Sequence, residues 1–478
     1  MEPFDRLAAQ GAMIERLTAD SRRCAPGTAF FAYPGEKADG RNYIGDALAR
    51  GAAAVVWEAN GFQWRNEWRI PNLAILGLKQ RAGVLASDFN GRPSEHLWMC
   101  GVTGTNGKTS CSQWIAAALG HHGVRAGVVG TLGTGFPGAL REAGNTTPDA
   151  LELQATLREL RNGGARAVAM EVSSHGLVQG RVNGVRFSSA LFTNLSHDHL
   201  DYHGTMQAYG EAKAQLFLMD GLQSAVLNLD DPFGRELARR LAGRVRTIGY
   251  SLQPIERGVV DGAISVNAEL ALESSWGKGR LASRQVGRFN VSNILGVVGV
   301  LIAHGLQMRD ALALVADLPD VPGRMEVVGD RPLIVVDYAH TPDALEKVLA
   351  TLRPVAVQRK GRLIVVFGAG GDRDPAKRPV MGRAASRGAD LVFITSDNPR
   401  SEDPAAIIAA VARGTSGTPR LETDRKLAIE AAVLEALPKD VVLIAGKGHE
   451  SYQEIRGNRQ PFSDQAVARA ALTMRGKQ

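Results

Sequence analysis

The chain has 478 residues, 44% hydrophobic and 22% charged, a globular composition with room for about three domains. Its net charge of +7 is dispersed among 49 acidic residues without a Lys/Arg block, so it fits a solvated surface or anionic small substrates and excludes a nucleic-acid tail. Cys24, Cys100 and Cys111 form no CxxC pair, the N-terminus lacks an apolar secretion segment, and the longest apolar run (294–303) is far below the ~20 residues of a membrane span, so a reducing cytoplasmic setting without membrane contact is expected.

In chain order, short apolar runs at 28–33, 52–57 and 73–76 surround a helical stretch at 43–50. Asn90-Gly-Arg-Pro93 is a turn-rich break. Strand-like runs follow at 97–102, 126–129, 167–172, 190–195 and 224–229, with helical segments between them. That alternation predicts a parallel α/β sheet. A second break, Val321-Pro-Gly-Arg-Met-Glu326, precedes new strands at 333–336, 363–367, 391–395 and 441–445. The predicted domains are therefore 1–92, 93–325 and 326–478. In open α/β sheets, ligands sit outside the carboxyl ends of strands, and the chemically suggestive residues occupy such positions in both later domains.

The strongest local signal is Gly101-Val-Thr-Gly-Thr-Asn-Gly-Lys-Thr109, placed between a strand and the helix-like segment 110–119. A Gly-rich turn at a helix N-terminus presents backbone N–H groups to phosphate. Lys108 then meets the β/γ-phosphates and the Thr109 hydroxyl meets Mg²⁺. Val102 replaces the first Gly of the long phosphate-loop pattern, while the shorter G-x-x-G-K-T form holds from Gly104. Glu171 ends a predicted strand, where a carboxylate either holds Mg²⁺ or simply caps or faces water. Asn194-Leu-Ser-His-Asp-His-Leu-Asp201, with His203 nearby, has the look of a metal cluster. No H-E-x-x-H accompanies it, so two readings remain: an imidazole beside nucleotide-bound Mg²⁺, or capping and core histidines. Gly368-Ala-Gly-Gly-Asp-Arg373 imitates a dinucleotide fingerprint, but Arg373 occupies its last glycine position.

These motifs together resemble the Mur ligases, in particular members that add meso-diaminopimelate to UDP-N-acetylmuramoyl-L-alanyl-D-glutamate. The likeness runs nearly end to end. It takes in Asp20-Ser-Arg22, Ala38-Asp-Gly-Arg41, the phosphate loop, Asn145-Thr-Thr-Pro148, Glu171-Val-Ser-Ser-His175 and Tyr209-Gly-Glu-Ala-Lys213. It continues through Gly287 to Asn293, Gly323-Arg-Met-Glu326, Asp337 to Pro342, Asp397-Asn-Pro-Arg400 and Gly446-Lys-Gly-His-Glu450.

The resemblance implies a three-domain α/β fold, with a central P-loop-type ATPase domain on a parallel sheet and a Rossmann-like C-terminal domain. It implies an ATP-dependent ligase using Mg²⁺ in peptidoglycan precursor synthesis, acting as a monomer on small-molecule substrates. Ser21, Glu36, Lys37 and Ala38, with Asn145, Thr146, Thr147, Ser173, Gln179 and Arg181, are expected to hold the UDP-linked peptide. Gly104, Thr105, Asn106, Gly107, Lys108, Thr109, Ser110, Asn293, Arg324 and Asp337 are expected around ATP. Arg373, Asp397, Asn398, Pro399, Arg400, Gly446 and Glu450 are expected around diaminopimelate. Lys108, Glu171, His199 and Lys213 carry catalytic roles in this reading. Thr109, Glu171, His199 and a carbamylated Lys213 serve the metal. A lysine-adding relative or a folylpolyglutamate-synthase-like ligase is the alternative on the same scaffold.

Overall fold

The structure is a computed structural model, and it describes residues 3–475 except positions 37, 143, 257, 268, 284 and 286. Among the described residues, three sheets carry the chain. The first has four parallel strands in sequence order: Arg16–Thr18, Thr28–Ala32, Ala54–Glu58 and Asn72–Ile75. Every residue of Thr28–Ala32 and Ala54–Glu58 is buried, so these strands read as continuous apolar runs rather than alternating ones.

The central sheet has eleven strands. Its parallel core pairs Gly262–Val266, Arg246–Ser251, Ser224–Asn228, Ser189–Phe192, Trp98–Thr103, Ala167–Glu171 and Ala126–Gly130, in that spatial order. Antiparallel hairpins finish both edges: Ala271–Ser274 with Gly277–Arg280, and Gly133–Phe136 with Ala139–Arg141. Arg288–His304 contains the long apolar run. The structure lays it against one face of the sheet beside Lys108–His121, with Ile294 to Ile302 buried. No helix among the described residues is long and apolar enough to cross a membrane. The opposite face is covered by Ala150–Asn162 and Pro232–Leu241. Asp149 starts the first of these by accepting from the Leu151 and Glu152 N–H groups, and Asp231 caps the second through Phe233 N–H.

The third sheet runs Glu326–Asp330, Leu333–Asp337, Val441–Ala445, Leu363–Phe367, Leu391–Ile394 and Arg420–Leu421, with helices on both faces. Its parallel strands end together at Asp337, Ala445, Phe367 and Ile394, just ahead of Gly446, Gly368 and Asp397. A small hairpin, Tyr452–Ile455 with Asn458–Pro461, lies against the loop after Leu391–Ile394, where Arg400 and Ile455 form a parallel bridge.

A buried ion pair fixes these strand ends. Arg425 grips both Asp464 oxygens, through Nε at 2.8 Å and Nη2 at 2.7 Å, and both side chains are fully buried. The same guanidinium donates to Ser396 O and Ala445 O, tying together two ends that the strand Leu363–Phe367 separates. Breaking such a pair leaves an uncompensated buried charge. Asp464→Ala is expected to cost about 3–5 kcal/mol of stability, and Arg425→Leu with Asp464→Leu to regain most of it. Urea unfolding followed by circular dichroism checks this, since all six tryptophans precede the last sheet.

Candidate active site

The phosphate loop forms where Trp98–Thr103 turns into the helix Lys108–His121. Gly104 and Gly107 have φ of +147° and +87°. A Cβ on Gly104 would run into Thr193 Oγ1, and one on Gly107 into the Asn293 side chain. Only glycine fits both demands. Asn194 holds the loop from beside, its carbonyl accepting from Thr105 N–H and its side chain from Asn106 N–H. That use of Asn194 ends its strand at Phe192, short of the 190–195 run expected from sequence.

Glu171 is 1% exposed and sits at the end of the strand next to the loop. Its Oε2 accepts from Thr109 Oγ1 at 3.0 Å and Thr131 Oγ1 at 3.1 Å, and its Oε1 from Thr131 N–H at 2.8 Å. From this carboxylate a polar track runs toward the first sheet. Thr131 meets Thr146 at 3.0 Å, and Thr147 donates to Glu171 O and to Ser173 Oγ. Arg181 donates to Thr147 O and to Gln179 Oε1. Gln179 and Tyr202 both donate to Glu36 Oε1, at 2.8 Å and 2.6 Å. Glu36, Thr146, Thr147, Ser173, Gln179 and Arg181 are thus brought onto one track. Asn145 is exposed on the same loop, Ala38 is exposed beside Glu36, and Ser21 is buried in the turn after the first strand. Lys37 lies outside the described residues.

Two lysines converge behind the loop. Lys108 Nζ donates to Gly104 O and Thr105 O, and Lys213 Nζ donates to the same Gly104 O at 3.0 Å. Lys213 is 1% exposed; burial, and then the charge of Lys108, push its pKa well below the ordinary lysine value. Burial also lowers Lys108, against the pull of Glu171 and Asp198. Ser110, the third residue of the helix, is buried.

The rings of His199, Tyr202 and His203 stack around His175. His175 packs on Tyr202 and His199, with centroids 4.2 Å and 4.9 Å away, and on His203. His203 Nε2 meets Ser174 Oγ at 3.0 Å. Among the described residues, no group of three or more His, Cys, Asp or Glu is placed to hold a metal. Asp198 pairs at 2.6 Å with Lys377, the first residue of the helix Lys377–Gly388. Burial raises its carboxyl, but His199, His340 and Lys377 outweigh that and hold it below the usual range.

The last third reaches the loop at two further points. Arg324 Nη2 donates to Thr109 Oγ1 at 3.2 Å while its guanidinium lies 4.3 Å over Tyr338, and Asn106 donates to Asp343. Asp337 accepts from Met325 and Ala339 N–H, fixing the connection that carries Arg324. Farther along, Arg400 donates to Gly371 O at 2.6 Å, and Gly370 lies between Arg400 and Arg373. A Cβ on Gly446 would press on Asp397 Oδ2 at 2.5 Å. Asn398 Nδ2 donates to Glu450 Oε2 at 2.8 Å, and Pro399 is buried beside Gly371. Sequence reasoning missed Thr131, Tyr202, Lys377, Arg425 and Lys447. Lys447 alone had a signal, its place inside Gly446-Lys-Gly-His-Glu450.

The comparisons with known proteins cover all three parts. Residues 13–90 match the model described as Mur ligase family, catalytic domain; 102–301 match Mur ligase middle domain; 323–448 match Mur ligase, glutamate ligase domain. The chain belongs to the Mur ligase family. It is 51% identical over 473 residues to the UDP-N-acetylmuramoyl-L-alanyl-D-glutamate--2,6-diaminopimelate ligase of Chromobacterium violaceum, covering 98% of this chain and 96% of that protein. A solved structure of a ligase with that same name superposes at TM-score 0.67 and 37% identity, covering 97% of this chain and 95% of the other. The MurF ligase of Thermotoga maritima, solved in complex with ADP, shares the fold at TM-score 0.62 and 20% identity, covering 97% of this chain and 98% of the other.

His199 gives this site a pH signature. Burial pushes its pKa down to about 4; Asp198 opposes that, while His175, Lys108 and Lys213 add to it. The unfolded imidazole protonates near 6.5. The folded state therefore resists the proton, and stability present above about 6.5 is lost as pH falls toward about 4. His199→Asn should flatten the pH dependence of the unfolding midpoint across that window. An unchanged slope would contradict the neutral imidazole.

Proposed function

We propose that this chain is an ATP-dependent ligase that adds meso-2,6-diaminopimelate to UDP-N-acetylmuramoyl-L-alanyl-D-glutamate, in peptidoglycan precursor synthesis. The observation that carries it is Thr109. The phosphate-loop hydroxyl bonds to Glu171, which heads the track toward Glu36, and to Arg324, which leads to the amino-acid loops. One nucleotide site thus stands between two substrate sites. The 51% identical relative of that name supports the same reading. Residues 1–92 serve the UDP end, 93–325 ATP, and 326–478 the amino acid. The enzyme acts in the cytoplasm as a monomer.

A carboxylate is a poor acyl donor, so the reaction needs activation. The γ-phosphoryl group of ATP passes to the peptide carboxylate, giving an acyl phosphate. The diaminopimelate amine attacks it, and the tetrahedral intermediate expels phosphate. Phosphoryl transfer of this kind depends on positioning and charge neutralisation. Lys108 and the loop N–H groups supply both, and Asn293, Arg324 and Asp337 frame the nucleotide. The donor set fits Mg²⁺: hard oxygens of Thr109 and Glu171 stand 3.0 Å apart, both buried. With His199 and a carbamylated Lys213 they would hold it, and the ion neutralises phosphate charge. The buried Lys213 amine, whose pKa burial pushes well down, suits uptake of CO₂.

Orthophosphate release should require both the nucleotide-peptide and diaminopimelate. Lys108→Ala, folded, should lose about 10²–10³-fold in kcat, as when one preorganised donor is removed. Retention of more than about a tenth of the parent rate refutes the role of Lys108.

Arg400 decides the amino acid. A guanidinium grips a carboxylate through two parallel hydrogen bonds, and diaminopimelate carries a second carboxylate where lysine has hydrogen. Lysine leaves the cation unmatched, so diaminopimelate should be preferred by ~10³-fold or more in kcat/KM. Arg400→Ala should shrink that ratio. Equal kcat/KM for the two amino acids, or undiminished discrimination in the variant, overturns the assignment.

A further inference from the structure

Lys447 has 0% exposure. Its ammonium donates to Asn398 Oδ1 at 3.0 Å and to Glu450 Oε2 at 2.6 Å. Asn398 Oδ1 also accepts from Glu454 N–H at 2.9 Å, and Asn398 Nδ2 donates to the same Glu450 Oε2. The Tyr452 ring closes the remaining side, 5.5 Å from Nζ. A fully buried ammonium persists only where it is paired, and this one is paired with two groups of the amino-acid site.

The pairing has a directional result. Two donors occupy Asn398 Oδ1, so the amide orientation follows from the network and its remaining N–H is what Asn398 has to offer. Two donors likewise occupy Glu450 Oε2, and among the described residues Oε1 takes no hydrogen bond. Asn398 therefore presents a donor and Glu450 an acceptor.

We propose that Lys447 is a positioning residue that sets the polarity of the amino-acid site, holding Asn398 as a donor for the substrate carboxylate and Glu450 as an acceptor for its ammonium. This rests on the reading above that Asn398, Arg400 and Glu450 receive the amino acid. The pattern matches the zwitterionic –CH(NH₃⁺)–COO⁻ group, which diaminopimelate carries at both ends. The lysine side chain offers only the ammonium half. Without Nζ, Asn398 keeps only the Glu454 N–H on its oxygen and Glu450 only the Asn398 amide, so both are held less firmly.

The test compares Lys447→Met and Lys447→Gln with Glu450→Gln in the full-length enzyme, measuring KM for diaminopimelate, ATP and the nucleotide-peptide separately. Glu450→Gln should raise KM for diaminopimelate; if it does not, the site reading itself fails. With that established, Lys447→Met should raise the same KM by about 10- to 100-fold, as when a charge-assisted hydrogen bond is lost. The other two KM values should hold, and preference for diaminopimelate over lysine should fall. Lys447→Gln keeps an amide donor in the pocket and should lie between the parent and Lys447→Met. It also carries the test if Lys447→Met does not fold. A folded Lys447 variant with the parent's KM for diaminopimelate overturns the proposal while leaving the site intact. So does a parallel rise in all three KM values, which marks a merely structural lysine.

Discussion

The site is organised around one buried carboxylate. Glu171 is removed from water, so each of its oxygens needs donors, and the fold supplies them from Thr109 and Thr131. Those two threonines lie on different sides of the sheet's central strands. Satisfying Glu171 therefore fixes the phosphate loop relative to the loop after Ala126–Gly130. The register Val102↔Glu171 is what makes this reach possible. A slip by one residue would turn Glu171 to the other face of the strand.

The charges around that carboxylate are unbalanced in a purposeful way. Lys108 and Lys213 share a single carbonyl, and Arg324 approaches from more than 100 residues further along the chain. Like charges held this close are costly unless an anion joins them or one amine gives up its proton. Phosphate is an anion of the first kind, and burial of Lys213 pushes its pKa in the direction of the second. The modest net charge of the chain hid this local concentration.

Much of the fold was legible because the buried strands are short apolar runs bounded by glycine and polar turns. Leu363–Phe367 and Val441–Ala445 came out residue for residue. Arg246–Ser251 and Gly262–Val266 did not, since their polar and glycine residues mask the run. The phosphate loop was legible because glycine geometry is written locally. The paired cations were not: half-buried Lys377 and buried Arg425 and Lys447 look like surface residues until their partners arrive from elsewhere in the chain. Asp198 lies 179 positions from Lys377, and Asn398 lies 49 from Lys447. The ring stacking of the histidine-rich segment was equally hidden, because His175 reaches His199 and Tyr202 from another part of the chain.

The hairpins that end the central sheet bear on how the protein coexists with its own copies. An eleven-stranded sheet has two open rims, each a row of unpaired amides able to recruit another chain. Here both rims are short. One is Gly277-Lys-Gly-Arg280, almost without apolar side chains and carrying two cations; the other, Ala139–Arg141, is three residues long and ends in an arginine. Short, charged rims of this kind discourage fibril-like growth along the sheet direction.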